Sequence, residues 1–254
     1  MTLRATKPGR KNENVLPLRL WRGAQTWRSA LARRYSRGAR RAASDSRLGS
    51  GLSALADRSD GSPMASFRAL SNPFTGEHIV FSETAETTGS EMVRFDWRSS
   101  PGGVISEHVH PRQEERFTII SGVARFTMNG TPMVARAGQT VVVPAGVPHS
   151  EGNAGPVDVH GTVELRPAFQ AREWHEALAG LAADFKCTSR GAPKNPFQLG
   201  ATFWHFRHES RPTSPPVWVQ NIVLPPLWLL AKIVGKRAYY DHWDSRSDHA
   251  DRRA

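Results

Sequence analysis

Between Gly102 and Asn153 the chain places histidines, an acid and turn residues at a spacing that strongly limits its fold. His108 and His110 stand two apart, so on an extended strand both imidazoles leave the same face. Pro111 interrupts that strand, and Glu115 opens the next apolar run, which ends at Ser121. His149 follows the turn Pro144-Ala145-Gly146-Val147-Pro148, as suits a residue carried in from a neighbouring strand. Three imidazoles and one carboxylate meeting inside a barrel would make a first-row transition-metal site with positions left open for a ligand.

The flanking sequence reads as short strands. Glu91–Arg98 alternates, with Val93, Phe95 and Trp97 on one face and Arg94, Asp96 and Arg98 on the other, the pattern of a half-buried strand. Glu77–Phe81, Glu115–Ser121, Val123–Met128, Thr131–Arg136 and Thr140–Val143 are further strands, and Asn129-Gly130 signals a type I′ hairpin turn. Val157–Leu165 closes the set with its own alternation. Seven or eight short strands with no intervening helices predict an antiparallel barrel or sandwich.

The motifs resemble those of the cupin superfamily, G-x5-H-x-H-x(3,4)-E-x6-G and G-x5-P-x-G-x2-H-x3-N. Gly102, His108, His110, Glu115 and Gly122 fill the first, and Gly138, Pro144, Gly146, His149 and Asn153 fill the second. The resemblance implies an all-β core, an antiparallel double-stranded β-helix or jelly roll. It also implies one divalent transition metal held by His108, His110, Glu115 and His149. Residues 72–240 are similar to bacterial cupin-domain proteins that append helices to the barrel, a likeness that brings no defined activity with it.

Beyond Pro167 the period changes. Trp174, Leu178, Leu181 and Phe185 recur at helical spacing, and Asn195-Pro196 offers a cap and first turn for a second helix through His208. A third helix from about Pro216 is expected to break at Pro225-Pro226 and restart as Leu227–Val234. The expected organisation is a disordered basic extension over 1–63, a cupin barrel over 64–167, a helical segment over 168–240 packed on the barrel, and a flexible tail over 241–254. The net charge of +11 is not spread evenly. Residues 1–63 carry 14 Lys and Arg against four acids, whereas the other 191 residues carry 20 against 19. The extension cannot bury enough apolar surface to offset its ordering entropy. It reads as a dispensable arm ahead of a start at Met64, or as a transit peptide or anion-contacting arm.

A single cysteine, Cys187, excludes an intramolecular disulfide and fits a reducing, cytoplasmic setting. No apolar run reaches the roughly 18 residues of a membrane span. Contact of residues 214–240 with a membrane surface is a lesser reading of their apolar bulk and basic end. Specific nucleic-acid binding is not expected, because no helix-turn-helix precedes the barrel. Self-pairing through a barrel edge strand would make a homodimer.

The expected function is a metal-dependent oxidoreductase of dioxygenase type acting on a small organic molecule. Iron, manganese or nickel suits the ligand set with open octahedral positions better than zinc or copper. The alternatives are a metal-dependent isomerase or epimerase on a sugar or keto acid, and a non-catalytic small-ligand-binding cupin. Glu164, sharing a strand face with His160, is a candidate general acid or base. Arg112, Arg116 and Arg125 are candidates to hold an anionic substrate, and His205 with His208 a weak second metal pair.

Overall fold

The computed structural model describes the backbone of Thr2–Arg4 and residues 67–188 and 191–246. Expectations for the rest of the N-terminal extension and for residues 247–254 lie outside the described residues. The β-strands are β1 (Thr2–Arg4), β2 (Leu70–Asn72), β3 (Glu77–Glu83), β4 (Val93–Ser99), β5 (Val104–Val109), β6 (Glu114–Ser121), β7 (Val123–Met128), β8 (Thr131–Arg136), β9 (Thr140–Val143), β10 (His149–Asn153) and β11 (Val159–Arg166). Helices α1 (Ala171–Ala183) and α2 (Pro196–His205) follow, then a two-residue strand β12 (Arg211–Pro212), then α3 (Val217–Ile233) and a 3-10 turn over Asp241–Trp243.

Two sheets face each other, the expected jelly roll. One has the order β1-β9-β6-β11-β4-β3-β2, the other β12-β5-β10-β7-β8. All pairings are antiparallel except β1 with β9. The alternation read in β4 holds, since Val93, Phe95 and Trp97 are buried. Their rings lead into an aromatic core that joins the sheets: Trp97 meets Phe117 of β6 at 5.7 Å, and Phe117 meets Phe126 of β7 at 5.0 Å. Asn129 and Gly130 both have positive φ, which a type I′ turn requires, and β7 and β8 pair in full register across it.

Four expectations need correction. The extension is not wholly without structure, because Thr2–Arg4 adds to the outer edge of β9 as a parallel strand. An edge strand offers unpaired backbone groups, and main-chain pairing needs no particular side chains. Helix α3 does not break at Pro225-Pro226 but runs unbroken from Val217 to Ile233. The carbonyls that lose their donors belong to Asn221 and Ile222, both exposed, so water can satisfy them. Tertiary packing holds the helix beyond the prolines: a Cβ on Gly200 of α2 would lie 2.5 Å from Leu227 Cβ, so only glycine allows this approach. Helix α2 ends at His205, three residues early, with Asn195 capping its start through the N–H groups of Phe197 and Gln198.

The last correction concerns the tail. Residues 241–246, expected to fray, are packed against α1. Trp243 is 2% exposed, and its indole occupies the space that a side chain at Gly180 would fill. Arg246 also bridges to Phe67. By contrast, one face of α3 is apolar and open, with Trp218, Ile222, Leu229 and Ile233 all exposed. Among the described residues no helix is long and apolar enough to cross a membrane.

Candidate metal centre

The cluster is assembled from both sheets. His108 of β5 and His149 of β10 are direct cross-strand partners, which brings their ring centroids to 4.2 Å. His110 follows the end of β5, and its ring lies 5.0 Å from that of His108. Glu115 comes from β6 in the opposite sheet and reaches across the sandwich. One ligand atom from each of these four side chains lies within 4.8 Å of the others. Glu115 Oε2 stands 2.8 Å from His149 Nε2 and 3.5 Å from His110 Nε2. Its neighbour Glu114 points to the other face, toward Arg116, as strand alternation requires.

The second nitrogen of each ring identifies what the site can hold. His108 Nδ1 faces the carbonyl of Ser106 at 2.9 Å, His149 Nδ1 that of Val147 at 2.9 Å, and His110 Nδ1 that of Glu209 at 2.6 Å. A carbonyl only accepts, so each Nδ1 carries a proton; Nε2 of His108 and of His110 then has its lone pair, and Nε2 of His149 either has one or shares a proton with Glu115. Backbone acceptors of this kind orient metal-bound histidines in general. Two acceptors, Nε2 of His149 and Oε2 of Glu115, cannot lie 2.8 Å apart without a cation between them, either a proton or a metal. The donor set of three imidazole nitrogens and one carboxylate suits a divalent transition ion.

The electrostatics agree with the geometry. Burial pushes the imidazoles of His108 and His110 below the ordinary histidine range, with further lowering of His108 by its neighbouring histidines. Both are therefore neutral ligands at neutral pH. Burial opposes ionisation of Glu115, but the surrounding histidines prevail and hold its carboxyl down at about 2. His149 is also opposed by burial, yet the hydrogen bond and charge of Glu115 raise it.

The cluster opens into a cavity of about 760 Å³ between the barrel interior and the C-terminal helices. Three further acids line it, Glu77, Glu107 and Glu151, and sequence reasoning missed all three. Glu77, on the inward face of β3, is pushed up to about 7 by burial and by the charge of Glu115, against the pull of the Trp97 indole. Glu151 sits two residues after His149 on β10 and so shares its face; burial, Glu115 and Glu77 raise its carboxyl well above the usual range. The i, i+2 spacing from His149 was a legible signal for Glu151. Glu209, whose carbonyl orients His110, acts through its backbone and leaves no such signal.

Other candidates lie elsewhere. Glu164 is not in the cavity: the neighbouring Val163 lines it, and Glu164 leaves the opposite face of β11. There Arg94 and Arg166 each hold one of its carboxylate oxygens with two donors. His160 on that face pairs with Asp96 at 2.6 Å. Arg112 stacks on Phe169, Arg116 pairs with Glu114, and Arg125 donates to the Gly103 carbonyl, so none lines the cavity. His205 and His208 belong to no metal-competent cluster among the described residues. Asn153 ties its own loop, donating to the carbonyls of Ser99 and Val157.

Comparison with known proteins follows this outline. Residues 95–163 match the family model described as Cupin domain. Germin-like protein 3-5 of Oryza sativa subsp. japonica is 34% identical over 97 residues, 33% of this chain and 41% of that protein. Protein SchB of Streptomyces halstedii is 32% identical over 100 residues, 39% of this chain and 64% of that one. Oxalate oxidase 1 of Hordeum vulgare is 32% identical over 87 residues, 31% of this chain and 42% of that one. The chain thus spans under half of the germin-like relative and of the oxidase. The matched region, residues 95–163, contains both motifs up to His149 and Asn153, so this part of the chain is a cupin domain.

Proposed function

We propose that this chain is a metal-dependent oxidoreductase of dioxygenase type acting on a small organic molecule. His108, His110 and His149 through Nε2, and Glu115 through its carboxylate, would hold one divalent ion, iron, manganese or nickel in preference to zinc or copper. One observation carries the reading: all three Nδ1 atoms face backbone carbonyls, so three Nε2 atoms and a carboxylate oxygen converge within 4.8 Å of one another. When bound, such an ion supplies Lewis acidity and, if redox-active, electron transfer to substrate and oxygen.

The protein's own part is to aim three imidazoles, two of them kept neutral by burial, to hold an oxygen-donor substrate in the cavity, and to exclude bulk water with the helical wall. The name of the oxalate oxidase relative is compatible with oxygen-linked chemistry. Metal analysis of the purified full chain, with oxygen uptake followed on phenolic, keto-acid and sugar compounds, tests the proposal. About one redox-active ion per chain with substrate-dependent uptake is the expected result. Absence of metal from both aerobic and anaerobic preparations, or native zinc with no uptake, would overturn it.

A metal-dependent isomerase is the second reading, and Glu77 favours it. A carboxyl poised at about 7 beside a metal site matches the demands on a general acid or base at neutral pH. Turnover without oxygen, lost in Glu77→Gln, would choose the isomerase.

A further inference from the structure

The cavity wall shows what kind of molecule it is built to receive. Glu151 is 5% exposed, lines the cavity, and has a buried Oε2 with no hydrogen-bond partner. A buried carboxyl oxygen without a partner, on a residue that lines a cavity, becomes a place for a ligand's donor once its side chain turns toward that space. Glu77 lines the same cavity from the opposite sheet, and Glu107 lines it as well. The remaining wall is largely apolar: Phe95, Trp97 and Phe117 come from the barrel, Trp174 and Phe203 from α1 and α2. Among the described residues that line it, none is Lys or Arg.

Resting on the metal-centre reading above, we propose that the cavity takes an uncharged, hydroxyl-bearing molecule with a ring-sized apolar body, and not a small dianion such as oxalate. Its hydroxyls donate to Glu151 and Glu77, and its body lies against the aromatic wall formed with α1 and α2. A carboxyl group offers an acceptor oxygen to a hydroxyl in either protonation state. Recognition of a carboxylate or phosphate instead calls for guanidinium or ammonium donors, which the described wall lacks. Size argues the same way. About 760 Å³ falls within the roughly 300–1,000 Å³ that encloses a drug-sized ligand, and a dianion the size of oxalate would leave most of the wall without contacts.

Fluorescence titration of the full chain with 2-naphthol and 2-naphthoate, which share one ring body and differ in charge, tests this directly. Each is measured with Mn(II) loaded and again after chelation, with oxalate as a competitor. In both preparations 2-naphthol is expected to bind about tenfold tighter than 2-naphthoate, and oxalate not to displace it. Glu151→Ala and Glu77→Ala should each weaken 2-naphthol about fivefold or more, while Glu151→Gln, which keeps an acceptor oxygen, retains most of the affinity. Phe203→Ala should weaken both probes alike. Equal or tighter binding of 2-naphthoate, displacement by oxalate, or no binding of 2-naphthol to the wild-type chain overturns the proposal. If the chain retains no Mn(II) yet shows the same probe preference after chelation, the metal-centre reading fails and the ligand class stands.

Discussion

Two buried carboxylates, Glu176 and Glu115, are treated in opposite ways. Glu176 of α1 is fully buried and surrounded by donors. Arg172 reaches it at 3.1 Å, the Tyr239 hydroxyl at 2.7 Å and the Ser245 N–H at 2.8 Å, and the Ser245 hydroxyl completes the set. Arg172 in turn pairs with Glu86 and Glu173. Glu115 is nearly as deep, but the groups it faces are histidine ring nitrogens, Nε2 of His149 and of His110. The first carboxylate is saturated by the protein's own groups and locks α1 to the chain's end. The second meets ring nitrogens that together could hold a metal ion. Burial of charge alone therefore says little about function; the identity of the partners decides.

Removing Glu176 should give the largest loss of stability. Glu176→Ala takes the buried acceptor from Tyr239, Ser245 and one arm of Arg172, whose other arm keeps Glu86 and Glu173, a loss of about 3 kcal/mol, toward the low end for broken buried pairs. Chemical denaturation measures it, and the folded fraction should still take up metal. A loss below about 1 kcal/mol would erase the distinction between the two carboxylates, as would loss of metal from the folded variant.

Replacing a residue of the other cluster should reverse the pattern. His149→Ala is expected to cost more metal affinity than the roughly 10–100-fold typical of substitutions in the groups that merely orient ligands. The wild-type chain should gain about 2.7 kcal/mol at a metal concentration a hundredfold above Kd, and the variant none. Thermal unfolding with and without Mn(II) separates the two outcomes. A variant stabilised by metal as much as the wild type would remove His149 from the ligand set.

The metal-free chain should also show an unusual pH response at Glu77. Its carboxyl titrates near 7 in the fold and near 4.5 when unfolded, so the folded state binds the proton more tightly. Stability is therefore lost as pH rises from about 4.5 to 7 and levels off above. Glu77→Gln abolishes this slope, and its gain over wild type, on the order of 1–3 kcal/mol, should appear at pH 8 and vanish at pH 4. Glu115 runs the other way: its lowered carboxyl contributes stability above about 4.5 that disappears as pH falls toward 2. A variant with no pH-dependent gain would show that Glu77 is solvated.

Much of the barrel was legible because period-two alternation and turn chemistry are local. Val93, Phe95 and Trp97 were assigned to the buried face from spacing alone, and Asn129-Gly130 announced its own turn. The convergence of His108, His110, Glu115 and His149 was legible because their motif carries both spacing and residue type. What escaped depends on tertiary context. Residues 241–246 look soluble by composition, yet Asp244 and Ser245 find partners on Arg246, Arg68 and α1, and Trp243 fills the gap left by Gly180. The continuity of α3 through Pro225-Pro226 depends on the close approach at Gly200, which no periodicity reports.

Glu164 offers the smallest effect and the sharpest check on the face argument. Sequence spacing could place it with His160 but could not say whether that face was the inner one. The inward residues of β11 are Val159, Gly161, Val163 and Leu165, so Glu164 belongs to the outer face with its two arginines. It is 17% exposed, and burial is outweighed by Arg94 and Arg166, which hold its carboxyl below the usual range. Arg94 and Arg166 are themselves about one-third exposed, so the bridges are screened and weak. Glu164→Gln should cost about 1 kcal/mol or less and leave metal stoichiometry and probe binding unchanged. A tenfold change in either would mean that the outer face of β11 communicates with the cavity, and the separation between structural and ligand-facing carboxylates would have to be redrawn along that strand.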